Sequence, residues 1–458
     1  MRPAQLWLVV VAGLACNDTS LRPTPVGPNI ILIVVDTLRA DRLTQYGHFR
    51  DTSSPLSQLA DVSIRFEDCT SPAPWTAPSV ASLFTGLAPT RHQVERVGSA
   101  LNTRAETLAE VLQAAGWNTA AFTFNPHITR RAHFDQGFDE FVSYRGRAQR
   151  APDVRDMMRE TQRWIANEAR QPFFLYLQPM NVHGPYRVPD DARAVLLGRP
   201  PRKGFEFFGP LMKGLLHDGR IELREEVSPQ LRQSLEEQYD TAIRHTTEEL
   251  AAFFQTLEAA GLWDSSLIVL TADHGEELFD HGGFSHRYSL HREVVHVPLF
   301  VKLPGPGRSR VVHEPVSLTD LYPTILELVE LPAGDTDGRS LAPFLLEQPV
   351  PEPLRKRVIV SRVDSPDRCQ ARSLRMGKHR LLVIDRNYEG LENTSFLYDL
   401  EADPGETRDL SGEHPALVRR LQAELDAIEA AQRPPSDPPA RYRVDPEERA
   451  ALEALGYL

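Results

Sequence analysis

A chain of 458 residues, 41% of them hydrophobic, has room for one large domain and a smaller one. Its net charge of −12 argues against nucleic acid as the main partner, because a surface that tracks phosphates needs clustered cations. That charge says nothing about substrate, since any solvated acidic surface produces it.

The chain opens with Met1-Arg2 and an apolar stretch from Leu6 to Cys16, too short to cross a bilayer and long enough for the core of a signal peptide. Export to the periplasm or outer envelope is therefore expected. Ala15-Cys16 followed by Asn17-Asp18 is similar to a bacterial lipoprotein cleavage site, although Gly13 stands where leucine is usual. Cleavage there would leave Cys16 as a lipidated first residue, with the proline-containing segment up to Pro28 as an extended tether; both the anchored and the unanchored form remain open.

Asn29 to Val35 is a continuous β-branched and leucine run ending at Asp36, and Ser266 to Ala272 is a second one ending at Asp273-His274. Runs without polar alternation predict strands buried on both faces, as in a parallel sheet covered by helices. Ligands collect at the carboxyl ends of such strands, so two carboxylates and an imidazole delivered there point to a divalent cation. Between these runs, Thr107 to Ala115 has helical spacing and stops at Gly116, while Thr119 to Phe124 and Phe173 to Leu177 read as strands. The polar stretch from Asp190 to Glu226 reads as a surface insertion, and Glu236 to Leu257 as a helix.

Downstream, Pro298 to Gly305 gives a strand and turn, and Asp320 to Leu326 opens a helix. Short strands at Val358 to Val360, Ser373 to Met376, Arg380 to Val383 and Phe396 to Tyr398, with a turn at Gly377-Lys378, predict a small antiparallel sheet. A helix follows from Pro415, then a proline-rich link from Pro434 to Pro439 and a short closing helix ending at Leu458. The expected architecture is α/β: a large mixed, mostly parallel sheet flanked by helices over residues 29–345, an antiparallel subdomain over 346–412 and a helical tail over 413–458, after a leader over 1–28. Cys69 and Cys369 either pair or remain as buried free thiols.

Ala73-Pro74-Trp75-Thr76-Ala77-Pro78-Ser79-Val80, continuing to Thr85-Gly86, resembles the nucleophile segment of the sulfatases. That family has a cysteine or serine, proline two residues on, arginine four on, and Thr-Gly at nine and ten; this chain matches at Pro78, Thr85 and Gly86. Pro28-Asn29, Asp36-Thr37-Leu38-Arg39-Ala40-Asp41, Asp273-His274-Gly275-Glu276, Leu397-Tyr398-Asp399-Leu400 and Asp403-Pro404-Gly405-Glu406 follow in family order. The resemblance, to sulfatases and through them to the alkaline-phosphatase-like superfamily, covers nearly the whole chain after the leader. It implies an exported, metal-dependent hydrolase of sulfate esters on a small molecule or glycan.

Departures from the pattern shape the chemistry. Thr76 occupies the position that sulfatases convert to formylglycine, and Val80 removes the arginine of the maturation motif. The β-methyl of threonine precludes an aldehyde, so no formylglycine is expected. Threonine remains a workable nucleophile when a metal lowers its hydroxyl pKa. Phosphoethanolamine and phosphoglycerol transferases of the superfamily use a carboxylate, a threonine and an Asp-His pair around one zinc or manganese, and Asp36, Thr76, Asp273 and His274 reproduce that set. The ion is calcium, manganese or zinc on this reasoning, and Thr37 replaces the second aspartate of many sulfatases.

His183, in Asn181-Val182-His183-Gly184-Pro185-Tyr186, resembles the family histidine on the leaving-group side, where it acts as acid or substrate contact. The segment Ala120 to His127 lacks the sulfate-gripping lysine, leaving Asn125 and His127 as candidate donors. Of His281 and His286, one is expected to face the substrate or a second metal; His291 and His296 read as surface or core. Arg39 and Asp41 are expected to pair and shape the strand-end loop. Besides sulfate-ester hydrolysis, this residue set allows phosphate-ester hydrolysis or phosphoryl transfer by Thr76, and a non-catalytic binding protein that kept the fold.

Overall fold

The computed structural model describes residues 27–143, 153–186, 188–189, 192, 195–197, 228–365, 369–386, 390–432 and 439–454. The apolar N-terminal run with Cys16, most of the 190–226 stretch and residues 433–438 of the proline-rich link lie outside them. Among the described residues no helix is long and apolar enough to cross a membrane.

The main sheet is built from β1 (Asn29–Val35), β2 (Ile64–Thr70), β3 (Asn118–Thr123), β4 (Glu140–Ser143), β5 (Phe173–Gln178) and β6 (Ser266–Ala272), with a separate short hairpin of β7 (Glu277–Leu278) and β8 (Phe284–Ser285). It continues with β9 (His296–Lys302), β10 (Arg310–Val312) and β11 (Val316–Ser317). The strand order is β10-β2-β9-β6-β1-β5-β3-β4, with β11 beside β2. From β6 to β4 every pairing is parallel; β9 runs antiparallel to both β6 and β2. β1 is central and its seven residues are all buried, which explains why its sequence has no polar alternation.

Helices cover the sheet. The helix Leu108–Ala114 starts in a capping box: the Glu110 N–H donates to Thr107 Oγ1 at 3.1 Å, and Glu110 Oε2 accepts the Thr107 N–H at 2.9 Å. The helix before β6 spans Pro229–Ala259, seven residues earlier than the sequence predicts. Ser228 caps it and Pro229 takes its first position, start signals that the surrounding polar residues obscure.

The second sheet has β12 (Val358–Ser365), β13 (Cys369–Met376), β14 (His379–Arg386) and β15 (Glu392–Asp399), all antiparallel and in chain order. The turn between β13 and β14 has Gly377 at φ 59°, a left-handed conformation that favours glycine. One face packs Leu374, Leu381 and Leu397 against Leu421 and Leu425 of the tail helix Pro415–Ala431. The other turns Ala371, Leu382, Ile384 and Tyr398 toward Leu290 and Val295 of the main domain. Cys69 in β2 and Cys369 in β13 are both buried and free, so the thiols are not paired with each other.

Candidate active site

The parallel register sets Val35 opposite Ala272, so the next residues, Asp36 and Asp273, leave the sheet side by side. Both are fully buried. Thr37 adopts a left-handed backbone, φ 57°, that turns its N–H onto Asp273 Oδ1 at 3.2 Å and ties the two strand ends together. His274 follows, with Nδ1 2.9 Å from the Gly275 carbonyl. A carbonyl only accepts, so Nδ1 carries the proton and Nε2 offers its lone pair, 3.9 Å from Asp36 Oδ1 and 3.6 Å from Asp273 Oδ2. Gly275 permits this turn: a Cβ there would meet the Glu293 carbonyl oxygen at 2.1 Å.

These three side chains fit a cation. One ligand atom from each lies within 4.8 Å of the others. Asp36 Oδ1 is buried with no hydrogen-bond partner, a costly state for a carboxylate unless a cation meets it. Burial pushes the Asp36 carboxyl well up, and the neighbouring Asp273 pushes it further; burial raises Asp273 as well. Two oxygens and one imidazole nitrogen suit calcium, manganese or zinc.

Thr76 opens the helix Thr76–Thr85 and is fully buried. The Asn125 amide donates one N–H to Thr76 Oγ1 at 3.0 Å and one to Asp36 Oδ2 at 2.6 Å, so it holds the hydroxyl against the carboxylate. Thr76 Oγ1 also lies 3.3 Å from His274 Nε2. The hydroxyls of Ser71 and Ser79 donate to the Asp273 carbonyl at 2.5 and 2.7 Å, pinning the start of this helix to the end of β6.

Three more histidines gather here. His183 Nδ1 lies 2.6 Å from the Gly184 carbonyl and therefore carries the proton; burial lowers this ring to about 4, so it is neutral at pH 7. The His286 ring is 4.5 Å from that of His274 and 5.0 Å from that of His183, with Nδ1 3.0 Å from Glu276 Oε1. His127 sits edge-on to Trp75, ring centroids 5.3 Å apart, and its backbone N–H donates to Asn125 Oδ1 at 2.8 Å. Burial pushes His127 and His286 well down, and the charge of Arg287 adds to both.

Arg287 is the residue the sequence reading missed. Its buried guanidinium lies 4.6 Å over the Trp75 ring, and the Arg287 backbone N–H donates to the Pro74 carbonyl at 3.0 Å. The missing lysine in Ala120 to His127 was the available signal, because an anion site without that cation needs another, and Arg287 follows His286 directly.

His281 lies elsewhere. Its Nδ1 is 2.7 Å from Glu293, its Nε2 3.1 Å from the Glu406 carbonyl, and its ring stacks 3.7 Å from that of His291. It belongs to the junction with the second sheet, away from the Asp36–Asp273–His274 group. His296 Nε2 donates to the Glu67 carbonyl at 2.9 Å within the core. Arg39 pairs with Asp41 at 2.7 Å as expected, and also with Asp280 at 2.7 Å.

Comparison with known proteins places this geometry in context. The sulfatase family profile matches residues 28–331. An ulvan-active sulfatase of Formosa agariphila is 24% identical over 455 residues, covering 90% of this chain and 83% of its own length. Among solved structures, a protein in complex with its substrate D-glucosamine-2-N,6-O-disulfate superposes with a TM-score of 0.72 at 18% identity, over 89% of this chain and 98% of the other. The phosphonate monoester hydrolase of Agrobacterium radiobacter gives a TM-score of 0.68 at 21% identity, over 88% and 96%.

Proposed function

Because the chain belongs to the sulfatase family, we propose that it is a metal-dependent hydrolase of sulfate esters carried on a small molecule or glycan, with Thr76 as nucleophile. The observation that carries this reading is the position of Thr76 Oγ1, held by Asn125 at 3.0 Å and lying 3.3 Å from His274 Nε2, with the same Asn125 amide bound to Asp36. Asp36, Asp273 and His274 would hold the ion, with Thr76 Oγ1 beside them. A divalent ion bound there lowers the pKa of a hydroxyl and neutralises charge on ester oxygens.

The protein's own groups divide the remaining work. Thr76 Oγ1 forms a bond to sulfur as the bond from sulfur to the leaving oxygen breaks. The neutral His183 ring, with Nδ1 committed to Gly184, takes the hydroxyl proton and returns it to the leaving oxygen. Arg287, Asn125 and His286, gathered around Thr76 and His274, would face the sulfate oxygens. Water then attacks sulfur, releasing sulfate and restoring the threonine hydroxyl, since no aldehyde is present to expel it.

A second reading, phosphate-ester hydrolysis or phosphoryl transfer, draws on the threonine itself, whose phosphorylated form is an ordinary intermediate, and on the likeness to a phosphonate monoester hydrolase. Export with or without a lipid on Cys16 completes the proposal: an envelope enzyme acting on anionic glycan esters. The test is hydrolysis of matched aryl sulfate and aryl phosphate esters with calcium, manganese or zinc added in turn. Metal-dependent turnover of the sulfate that disappears in Thr76→Ala is the expected result. Preference for the phosphate establishes the second reading, and turnover unchanged in Thr76→Ala removes the nucleophile assignment.

A further inference from the structure

Glu276 is 1% exposed and stands outside the Asp36–Asp273–His274 group, yet its side chain reaches two other segments of the same site. Its Oε1 lies 3.0 Å from His286 Nδ1, and the Gly184 N–H and the hydroxyls of Tyr186 and Ser285 also hydrogen-bond this carboxyl group. The Gly184 carbonyl in turn accepts the Nδ1 proton of His183 at 2.6 Å. Gly184 therefore links Glu276 to His183, while Glu276 holds His286 directly, and the two rings stand 5.0 Å apart. Polar partners drawn from both segments offset the cost of burying the group. The next residue, Glu277, is occupied differently: it accepts from the Gly283 N–H at 2.7 Å and the Ser289 hydroxyl at 3.1 Å, both in the segment that follows it.

Threonine gives this arrangement its consequence. An ester on Thr76 has no internal group to expel it, so water must attack, and water is a poor nucleophile until a base takes one of its protons. His183, having returned its proton to the leaving oxygen, can take one again. The water oxygen bonds to sulfur as the bond from sulfur to Thr76 Oγ1 breaks; one water proton passes through the His183 ring to Thr76 Oγ1, and the other leaves on the sulfate as hydrogensulfate. We propose that Glu276 is a positioning residue for this clearing step, acting on His183 through Gly184 and on His286 directly, an inference that rests on the hydrolase reading above. The two half-reactions place unequal demands on it when the leaving group is 4-nitrophenolate. That anion departs without a proton, whereas the far more basic Thr76 oxygen needs one.

The test uses the full chain with 4-nitrophenyl sulfate or 4-nitrophenyl phosphate, whichever the wild type cleaves, and reads steady-state rates together with the intact mass of the protein during turnover. Glu276→Ala is expected to lower kcat and KM together, about tenfold or more, to leave kcat/KM near the wild-type value, and to accumulate protein carrying one sulfo or phosphoryl group on Thr76. Glu276→Gln, which keeps an oxygen to accept from Gly184, is expected to recover most of the loss. In a His183→Gln background the alanine substitution should lose much of its effect, because a residue acting through His183 then has less to act on. Should the alanine variant fail to fold, Glu276→Asp, which withdraws the carboxyl group by one methylene, is read by the same criteria. A kcat/KM that falls as far as kcat with Thr76 unmodified, losses that multiply in the double variant, or no loss at all overturns the positioning role and leaves the hydrolase reading standing. No turnover of either ester by the wild type removes the hydrolase reading, and this role with it.

Discussion

Asn125 illustrates how closely the candidate site is wired: one amide group holds both the nucleophile and a metal ligand. Asn125→Ala would free the Thr76 hydroxyl and leave Asp36 Oδ2 without that donor, and a fall in kcat of about tenfold to a hundredfold is expected, read from initial rates at saturating substrate. Thr76→Ala would abolish turnover by about a thousandfold or more, with a melting temperature close to wild type, whereas Thr76→Ser, which keeps the hydroxyl, would retain activity. Arg287→Gln removes the charge and keeps a polar, hydrogen-bonding side chain. Its expected signature is a KM for the sulfate ester raised about tenfold to a hundredfold, because a charge-assisted contact to an anion is worth roughly 1.5–3 kcal/mol.

At the scale of elements, the strand ends that carry Asp36 and Asp273 were legible because fully buried strands leave an unbroken apolar run in the sequence. The β-strands of the second sheet were legible only in part: β12 and β13 extend past their apolar residues into half-exposed polar ones such as Arg362 and Arg372, which carry no strand signal by themselves. His281 was beyond reach of the sequence, since its spacing after His274 cannot say to which side of the β7–β8 hairpin it turns. The structure puts it in the clamp between hairpin and second sheet, with Glu293, His291, Glu406 and Arg380. That clamp has a definite pH response. Burial would lower His281, but Glu293 and the Glu406 carbonyl outweigh it and raise the ring to about 9. A raised folded-state pKa gives stability that is complete below the unfolded value near 6.5 and fades as pH climbs through about 9. Urea unfolding between pH 6 and 10 should show a loss of ~1–2 kcal/mol that His281→Gln removes. Glu406 behaves oppositely: burial raises it, yet Arg380 and His291 hold it at about 2, so its contribution is present above the usual carboxylate range and disappears only in strong acid. Glu406→Gln would strand the buried Arg380 and should cost about 3–5 kcal/mol, measured by the same method at pH 7.

For the molecule as a whole, chelation is the informative perturbation. With two fully buried carboxylates facing one another, an ion that binds only the folded chain stabilises it by about 2.7 kcal/mol at a hundred times its Kd. Dialysis against a chelator is therefore expected to lower the melting temperature, readdition of manganese or calcium to restore it, and Asp273→Asn to make the protein indifferent to either treatment. The overall architecture was legible because motif order fixed it, from the strand ending at Asp36 to the turn at Asp403 to Glu406. What lay beyond the sequence was the meeting of distant parts: Arg375 of the second sheet pairs with Asp68 at the end of β2, and the Ser361 hydroxyl donates to the Ser71 carbonyl at 2.6 Å, next to the nucleophile segment.

The pairing of β1 with β6 runs in unbroken parallel register over seven residues before delivering Asp36 and Asp273. The spacing of those two residues is thus inherited from the ladder, and Thr37 and Asn125 then fix their carboxylates. A lineage could lengthen, trade or rebuild the surrounding loops and still find the ion's seat where it was. The chassis is held by its own geometry, and an engineer seeking a new specificity should cut after the ladder and never within it.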